Sequence, residues 1–436
     1  MTSKRLAAGA GLSLGAVLAG PAAVQAEDIE VTNLNGSGPG SLRQAVADAN
    51  ADADADRILF ASKLSGTINL GGDDIELEGG DVEIVGPGAR QVTIDAEGAS
   101  RAFFARGGYV TFPGIDVAIS GLTITGGEAG RGGGFYAYGA DVDVTISHAT
   151  ISANSASADG GGLLFSVGND NQVAVEYSTV SGNSANGKAG GIYVEGADFR
   201  LVNSTVSGNT AGDDGGGVYL LGPYPSATAD IGSSTVASNT ADDDGGGVYE
   251  LRIDAVLRGS LVADNTAGSE GDDLFDSGPG GFDAAFSLVE DPDVSDPFGL
   301  DGVITGRDPN LKPLKNNGGP TNTHAFKRSP AKNKLPKSES ERKDQRGAKR
   351  KGKGDIGAYE LVKCEGVIVN RVGTAKKDRL KGTKKKDGIL GLGGNDKLSG
   401  KKGKDGLCGG KGKDKLKGGP GKDKLDGGPG KDKEVQ

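Results

Sequence analysis

The chain has 436 residues, with 79 Gly, no Trp, two Cys and 35% apolar residues. It is long enough to bury a large core, yet this composition excludes an ordinary globular domain and suits a solenoid, whose coils touch only their neighbours and need many tight turns. The formal net charge of −10 hides an asymmetry, with acids crowding the first 300 positions and lysines the last hundred.

Residues 1–26 carry Lys4 and Arg5, an apolar run rich in Ala, Gly and Leu, and Val24-Gln25-Ala26 as a small-residue cleavage site. That is the pattern of a secretory signal peptide. No later stretch is apolar enough to span a bilayer. Export and overall acidity argue against a nucleic-acid partner. Next, Val31-Thr32-Asn33 predicts a strand, Gly38-Pro39-Gly40 a turn, and Ser41-Leu42-Arg43-Gln44-Ala45-Val46 the start of an amphipathic helix over about 41–51, N-capped by Ser41. A solenoid needs such a plug, because its open end exposes a sheet edge and the core.

From 121 to 275 one phrase returns about every 28 residues, with Asn154, Asn183, Asn209, Asn239 and Asn265 spaced by 29, 26, 30 and 26. A second phrase follows the first four asparagines: Gly160-Gly161-Gly162-Leu163, Gly190-Gly191-Ile192-Tyr193, Gly215-Gly216-Gly217-Val218-Tyr219 and Gly245-Gly246-Gly247-Val248-Tyr249. Each circuit thus offers two short β segments and two turns, and parallel coils stacked about 4.8 Å apart follow. Ile151, Val180, Val206, Val236 and Val262 are expected to point inward. The asparagines are expected to take left-handed turn conformations and to hydrogen-bond along a ladder. The phrases resemble the repeats of polymorphic outer membrane proteins and related right-handed parallel β-helices.

The flanks extend that resemblance to exported β-helix proteins of the choice-of-anchor Q type. At the N-terminal side it is carried by Gly38 to Ala45, Ile58-Leu59-Phe60, Ile84-Val85-Gly86-Pro87-Gly88 and Gly121-Leu122-Thr123-Ile124-Thr125. At the C-terminal side it is carried by Asp308-Pro309-Asn310-Leu311, Asn316-Asn317-Gly318-Gly319-Pro320-Thr321, Asp344-Gln345-Arg346-Gly347 and Asp355-Ile356-Gly357-Ala358-Tyr359-Glu360. The resemblance covers most of 28–361 and implies a secreted or cell-surface β-helix with interchangeable attachment modules, but no particular reaction. A lysine-rich insertion at 332–353 departs from the family and is expected to be a solvated loop.

Beyond Gly373 the period becomes nine. Asp378, Asp387, Asp396, Asp405, Asp414, Asp423 and Asp432 recur without a slip, set in a Gly-Gly-x-Gly-x-Asp-x-Leu-x pattern that residues 409–426 meet best. Glycines let turns bring carbonyls inward, each aspartate adds a charge, and the leucine two residues later starts a short packed strand; Ca²⁺ takes six to eight such hard oxygens. The pattern resembles the calcium-binding nonapeptide of RTX-type β-rolls, which makes the seven aspartates candidate Ca²⁺ ligands. Position five is lysine in Lys377, Lys386, Lys404, Lys413, Lys422 and Lys431, with Asn395 the exception. These ammonium groups predict weak affinity and leave open a metal-free roll in which they bridge the aspartates. Cys364 and Cys408, an even count in an exported chain, suggest a disulfide. It would stabilise the tail by about 4 kcal/mol in chain-entropy terms.

No catalytic residues are assigned. His148 and His324 lie beside no plausible nucleophile or paired acid. Asp213-Asp214, Asp242-Asp243-Asp244 and Asp272-Asp273 recur with the coil and read as solvated turn acids. Tyr136, Tyr193, Tyr219, Tyr249 and Phe275 predict an outward aromatic stripe; Tyr193, Tyr219 and Tyr249 are sugar-binding candidates, although such ladders also stabilise coils with no ligand. The expected architecture is all-β: a signal peptide at 1–26, a right-handed single-stranded parallel β-helix at 27–361 (helical cap within 27–70, coils about 75–310, C-terminal cap region 308–361), and an RTX-like β-roll at 362–436. The expected role is adhesion to cell-envelope or extracellular polysaccharide, anionic polymers included, with a polysaccharide lyase or hydrolase as the alternative.

Overall fold

The computed structural model describes residues 28–436 apart from 52, 109–112, 224–226, 293–300 and 340; the expected signal peptide lies outside the described residues. From Asp28 to Thr305 the chain winds as a parallel β-helix with four strands per full coil, not two. One coil runs Ile115–Ser120, Thr123–Thr125, Glu128–Ala129, Phe135–Gly139. Stacking these coils gives a first sheet of ten strands, a second of ten, a third of eight, and a six-stranded ladder of two-residue strands between the second and third. The repeated phrases mark only the second and third sheets. First-sheet strands such as Gln172–Glu176, Asp198–Val202 and Thr228–Gly232 share alternating burial but no common wording, so a search for repeats does not find them.

Alternate residues of every sheet enter one continuous core that runs from Val31 to Val289, and the five apolar residues three positions before the asparagines are fully buried. The asparagines form the expected ladder. Each Nδ2 donates at 2.9 Å to Oδ1 of the next, from Asn154 through Asn183, Asn209 and Asn239 to Asn265. Each Oδ1 also accepts the backbone N–H of the preceding asparagine. The left-handed residue, however, is the one before: Ala153, Gly182, Gly208, Ser238 and Asp264 have φ of 55–66°. That turn aims the asparagine inward, where its amide replaces water. A second buried ladder passes through Ser178, Ser204, Ser234, Ser260 and Ser287, each hydroxyl accepting a backbone N–H from the coil before.

The N-terminal end is plugged as expected. Helix α1, Leu42–Ala49, is N-capped by Ser41 and buries Leu42, Ala45, Val46 and Ala49. Arg43 ties it down through the carbonyls of Gly36, Leu70, Asp73 and Asp74.

Region 308–361, expected to cap the other end, instead runs back along the outer face of the second sheet as a strap. Gly357 N–H donates to Gly259, and Ala358 N–H donates to Thr235 Oγ1. Gln345 bonds Thr205 and Thr179, and Arg90 donates to Gly319 O and Asn322 Oδ1. The insertion at 332–353 belongs to this strap and is not merely a solvated loop. Its lysines are largely exposed, but Leu335, Asp344, Gln345, Arg346 and Ala348 are buried. Arg346 pairs with Asp344 at 2.8 Å, donates to Glu360 O and Asn317 O, and lies 4.0 Å over the Tyr359 ring.

The tail is a second, narrower solenoid with 18 residues per coil. Arg371–Val372, Gly388–Leu390, Gly406–Cys408 and Lys424–Asp426 form one sheet; Arg379–Lys381, Lys397–Ser399, Lys415–Lys417 and Lys433–Val435 form the other. Ile389, Leu398, Leu407 and Leu416 fill the narrow space between them. Cys364 and Cys408 are disulfide-bonded, with Cα atoms 5.9 Å apart. The bond fastens the hairpin of Lys363–Cys364 and Val367–Ile368 to the roll.

Replacing Asn209 by Ala removes the acceptor of the buried Asn183 backbone N–H and of one Asn183 Nδ2 hydrogen, leaving Nδ2 only its bond to Ile151 O. The expected cost is about 2–4 kcal/mol, read as a lower denaturant midpoint. A loss below about 0.5 kcal/mol would show that the ladder does not bear on stability.

Candidate functional site

The nine-residue period turns the chain through half a coil, so the tail's aspartates stand in two columns. One holds Asp378, Asp396, Asp414 and Asp432; the other holds Asp387, Asp405 and Asp423. In both columns, Oδ1 accepts the backbone N–H of the aspartate one coil earlier at 2.8–2.9 Å. The second oxygens of the six aspartates before Asp432 divide into two groups. Those of Asp378 and Asp387 accept the N–H and hydroxyl of Thr374 and Thr383. Those of Asp396, Asp405, Asp414 and Asp423 are buried with no hydrogen-bond partner among the described residues.

Glycine is required around these oxygens. A Cβ on Gly400 or Gly409 would overlap Oδ2 of Asp405 or Asp414, and a Cβ on Gly412 or Gly421 would overlap the carbonyl of Gly394 or Gly403. Burial pushes the Asp396 carboxyl up to about 6 and raises that of Asp405. A buried carboxylate oxygen with no donor demands a counter-charge. The position-five lysines do not supply it: all six are exposed, and among the described residues no tail lysine pairs with a repeat aspartate. An all-oxygen pocket built from carboxylates and glycine turns is the donor set of a hard divalent cation.

Residues 372–407 and 409–433 match the family described as RTX calcium-binding nonapeptide repeat (4 copies). The tail is therefore an RTX-type roll, and its ion is calcium. No curated protein matches the chain. Among solved structures, the crystal structure of pectate lyase Pel9A is similar at 15% identity and a TM-score of 0.46, over 78% of this chain and 97% of that one.

The side wall carries other groups. Tyr193, Tyr219 and Tyr249 stack outside the third sheet with ring centroids 5.1 and 4.8 Å apart, and Phe275 continues the row. Their exposures of 6%, 1% and 7% mean that ring faces cover one another, leaving little beyond edges for a sugar. Lys188 lies over Tyr219 and donates to its hydroxyl.

His324 does touch a hydroxyl, contrary to the sequence reading: Nε2 lies 2.8 Å from Ser207 Oγ, while Nδ1 lies 2.8 Å from Lys312 O. Both residues are buried between strap and wall, and the pair acts as a fastener. His148 stacks on Tyr177. Among the turn acids, Asp213, Asp242 and Asp243 are exposed as expected, but Asp273 is not. Buried, and pushed up to about 6 by that burial, it accepts the last amide of the asparagine ladder and the N–H of Asp291.

Three features escaped sequence reading. Asp264, Glu290 and Asp308 bring carboxylate oxygens within 4.8 Å of one another, through contacts between distant segments. A shallow groove of about 620 Å³ on the first sheet is edged by Asp81, Glu83, Asp116 and Asp143. Glu250 occupies the inward position that Val194 and Leu220 hold in earlier coils. It is wholly buried, its Oε1 accepts Ile253 N–H at 2.6 Å, and burial raises it to about 7.

Because the folded pKa of Glu250 lies above its unfolded value, the folded state binds the extra proton, and stability falls as pH rises from about 4.5 to 7. Glu250→Gln is expected to remove that loss, gaining about 2–3 kcal/mol over the parent at pH 8 and little at pH 4 in urea titrations. Equal gains at both pH values would refute the assignment.

Proposed function

We propose that the protein is a secreted or cell-surface β-helix whose RTX tail folds on calcium outside the cell, and that it attaches to envelope or extracellular polysaccharide. The observation that carries this reading is the set of four buried, unpartnered carboxylate oxygens on Asp396, Asp405, Asp414 and Asp423. Together with Asp378, Asp387 and Asp432 they are the proposed ligands, and calcium bound there offsets a desolvation cost that nothing else in the roll meets. External calcium, the signal-like segment at 1–26 and the resemblance to choice-of-anchor Q and polymorphic outer membrane proteins support a location outside the cell. No described helix is long and apolar enough to cross a membrane.

Charge polarity supports attachment rather than turnover. The tail at 362–436 holds 21 Lys and Arg against 10 Asp and Glu, a net +11, so the remaining 361 residues carry −21. Seven of the tail's ten acids are the repeat aspartates, so calcium loading makes the roll more cationic still. A polysaccharide-active enzyme remains the second reading, favoured by the acidic groove on the first sheet.

Titrating Ca²⁺ into the full chain by calorimetry should show several bound ions and a rise in melting temperature. Asp405→Asn with Asp414→Asn should lower the stoichiometry and leave the β-helix folded by circular dichroism. Saturation at 100 times Kd corresponds to about 2.7 kcal/mol per site. No heat and no thermal shift at about 10 mM Ca²⁺, well above the weakest extracellular sites, would overturn the proposal. Incubation with acidic polysaccharides is expected to release no unsaturated or reducing ends; release that disappears on mutating Asp116 or Asp143 would establish the enzyme reading instead.

A further inference from the structure

The two sheets of the roll face different surroundings. Gly388 and Gly406 lie against Ile368 and Cys364 of the hairpin. Leu390 and Cys408 pack with Val369 and Val372. Gly319 N–H donates to Val372 O, and Arg346 Nη1 reaches Val369 O, so the roll is bolted to the strap on this side. Where the hairpin and strap cover this sheet its outward positions are Gly388, Gly406, Val372, Leu390 and Cys408; the end strand carries exposed Lys424 and Asp426 there.

The opposite sheet is free. Arg379, Lys397, Lys415 and Lys433 stand in register in one column, and Lys381 and Lys417 share the second with Ser399 and Val435. All six cations are exposed, neither column contains an acid, and none of the six pairs with a carboxylate among the described residues. Successive coils place these charges about 4.8 Å apart. Like charges directly opposite on adjacent strands destabilise a sheet. Lysines that merely guard a sheet edge need occupy only the edge strand, whereas this column crosses the whole sheet.

We infer that this face docks a linear carboxylate-bearing polysaccharide, and that it does so in the calcium-loaded state. The inference rests on the calcium-folded tail proposed above. Folding on calcium sets the cations into a straight row and neutralises the aspartates beneath them, so one ion both builds the surface and strengthens its field. A row of evenly spaced point charges complements a polymer with a regular charge along its length. The tail at 362–436 has no Phe, Tyr or Trp and only two Arg, so it lacks the stacking platforms and bidentate forks that favour nucleic acid.

The test uses the full chain with polygalacturonate immobilised as the probe and its fully methyl-esterified form as the uncharged control. With Ca²⁺ present, the parent should bind the acid form and not the ester, and should be released at about 1 M NaCl, where the screening length is about 3 Å. Lys397→Gln with Lys415→Gln and Lys433→Gln should weaken binding about tenfold, the loss expected for three exposed ion pairs. The matched substitution of Lys334, Lys349 and Lys353 on the strap should leave binding unchanged. Calcium calorimetry on the face variant should match the parent, which shows that the roll is still built. Binding that survives the face substitutions, tolerates methyl esterification, or is tighter for single-stranded DNA than for polygalacturonate overturns the assignment. Failure of the parent to bind calcium sinks the underlying reading separately, whatever the polymer does.

Discussion

In a parallel solenoid every coil takes its hydrogen-bond partners from the next, so a residue repeated at one position is forced to meet its own copies at strand spacing. Whether that is favourable depends on the chemistry of the side chain. Asparagine carries both a donor and an acceptor, so a column of asparagines closes on itself, Nδ2 to Oδ1, from Asn154 to Asn265. Serine does the same using the backbone on either side. An ionised aspartate has acceptors only, so the columns of Asp396 with Asp414 and Asp405 with Asp423 satisfy one oxygen from the backbone and leave the other bare. The same geometry yields a self-sufficient wall in the β-helix and an ion-demanding one in the tail.

The ends of these columns explain where the repeats break. The last asparagine amide would have no acceptor, and there the glycine of earlier coils is replaced by Asp273, which takes that amide and Asp291 N–H together. At the start of the aspartate columns the second glycine of the nonapeptide is replaced by Thr374 and Thr383, whose hydroxyl and N–H occupy the oxygens that later copies leave bare. These three departures therefore act as terminators: an acceptor where a donor would be stranded, donors where an acceptor would be.

These terminators also mark the limit of what sequence conveys. Period, inward valines, the asparagine ladder, the helical plug and the leucine core of the tail were legible because each is set by local spacing, and the disulfide because the chain has only two cysteines. The first sheet was not, because its strands obey only alternation. The one-residue offset of the left-handed turn was missed because asparagine's own tolerance for that conformation gave a sufficient local explanation, whereas its ladder needs the side chain turned inward. Asp273 looked like its exposed neighbours Asp242 and Asp243, and only its place against Asn265 sets it apart. The strap was read as a cap region at 308–361 with a solvated insertion at 332–353 because the exposed lysines mask Leu335 and the buried Asp344–Arg346 pair, whose partners Asn317, Tyr359 and Glu360 lie outside the insertion.

The strap decides how the two solenoids depend on each other. Arg346 is fully buried; Asp344 matches its charge and the carbonyls of Asn317 and Glu360 take its other donors, so the segment from Asn317 to Glu360 holds together as one polar core. That core grips Thr179, Thr205 and Thr235 on the wall and Val369 at the base of the roll. The asparagine ladder of the β-helix closes on Asp273 and the serine ladder on the backbone, with no ion between their members. The roll holds four buried carboxylate oxygens with no hydrogen-bond partner among the described residues, and its leucine core is narrow. An acidic wall thus carries, through the strap, a basic calcium-binding module, and the strap covers one sheet of that module and leaves exposed the cations of the other, Arg379, Lys397, Lys415 and Lys433.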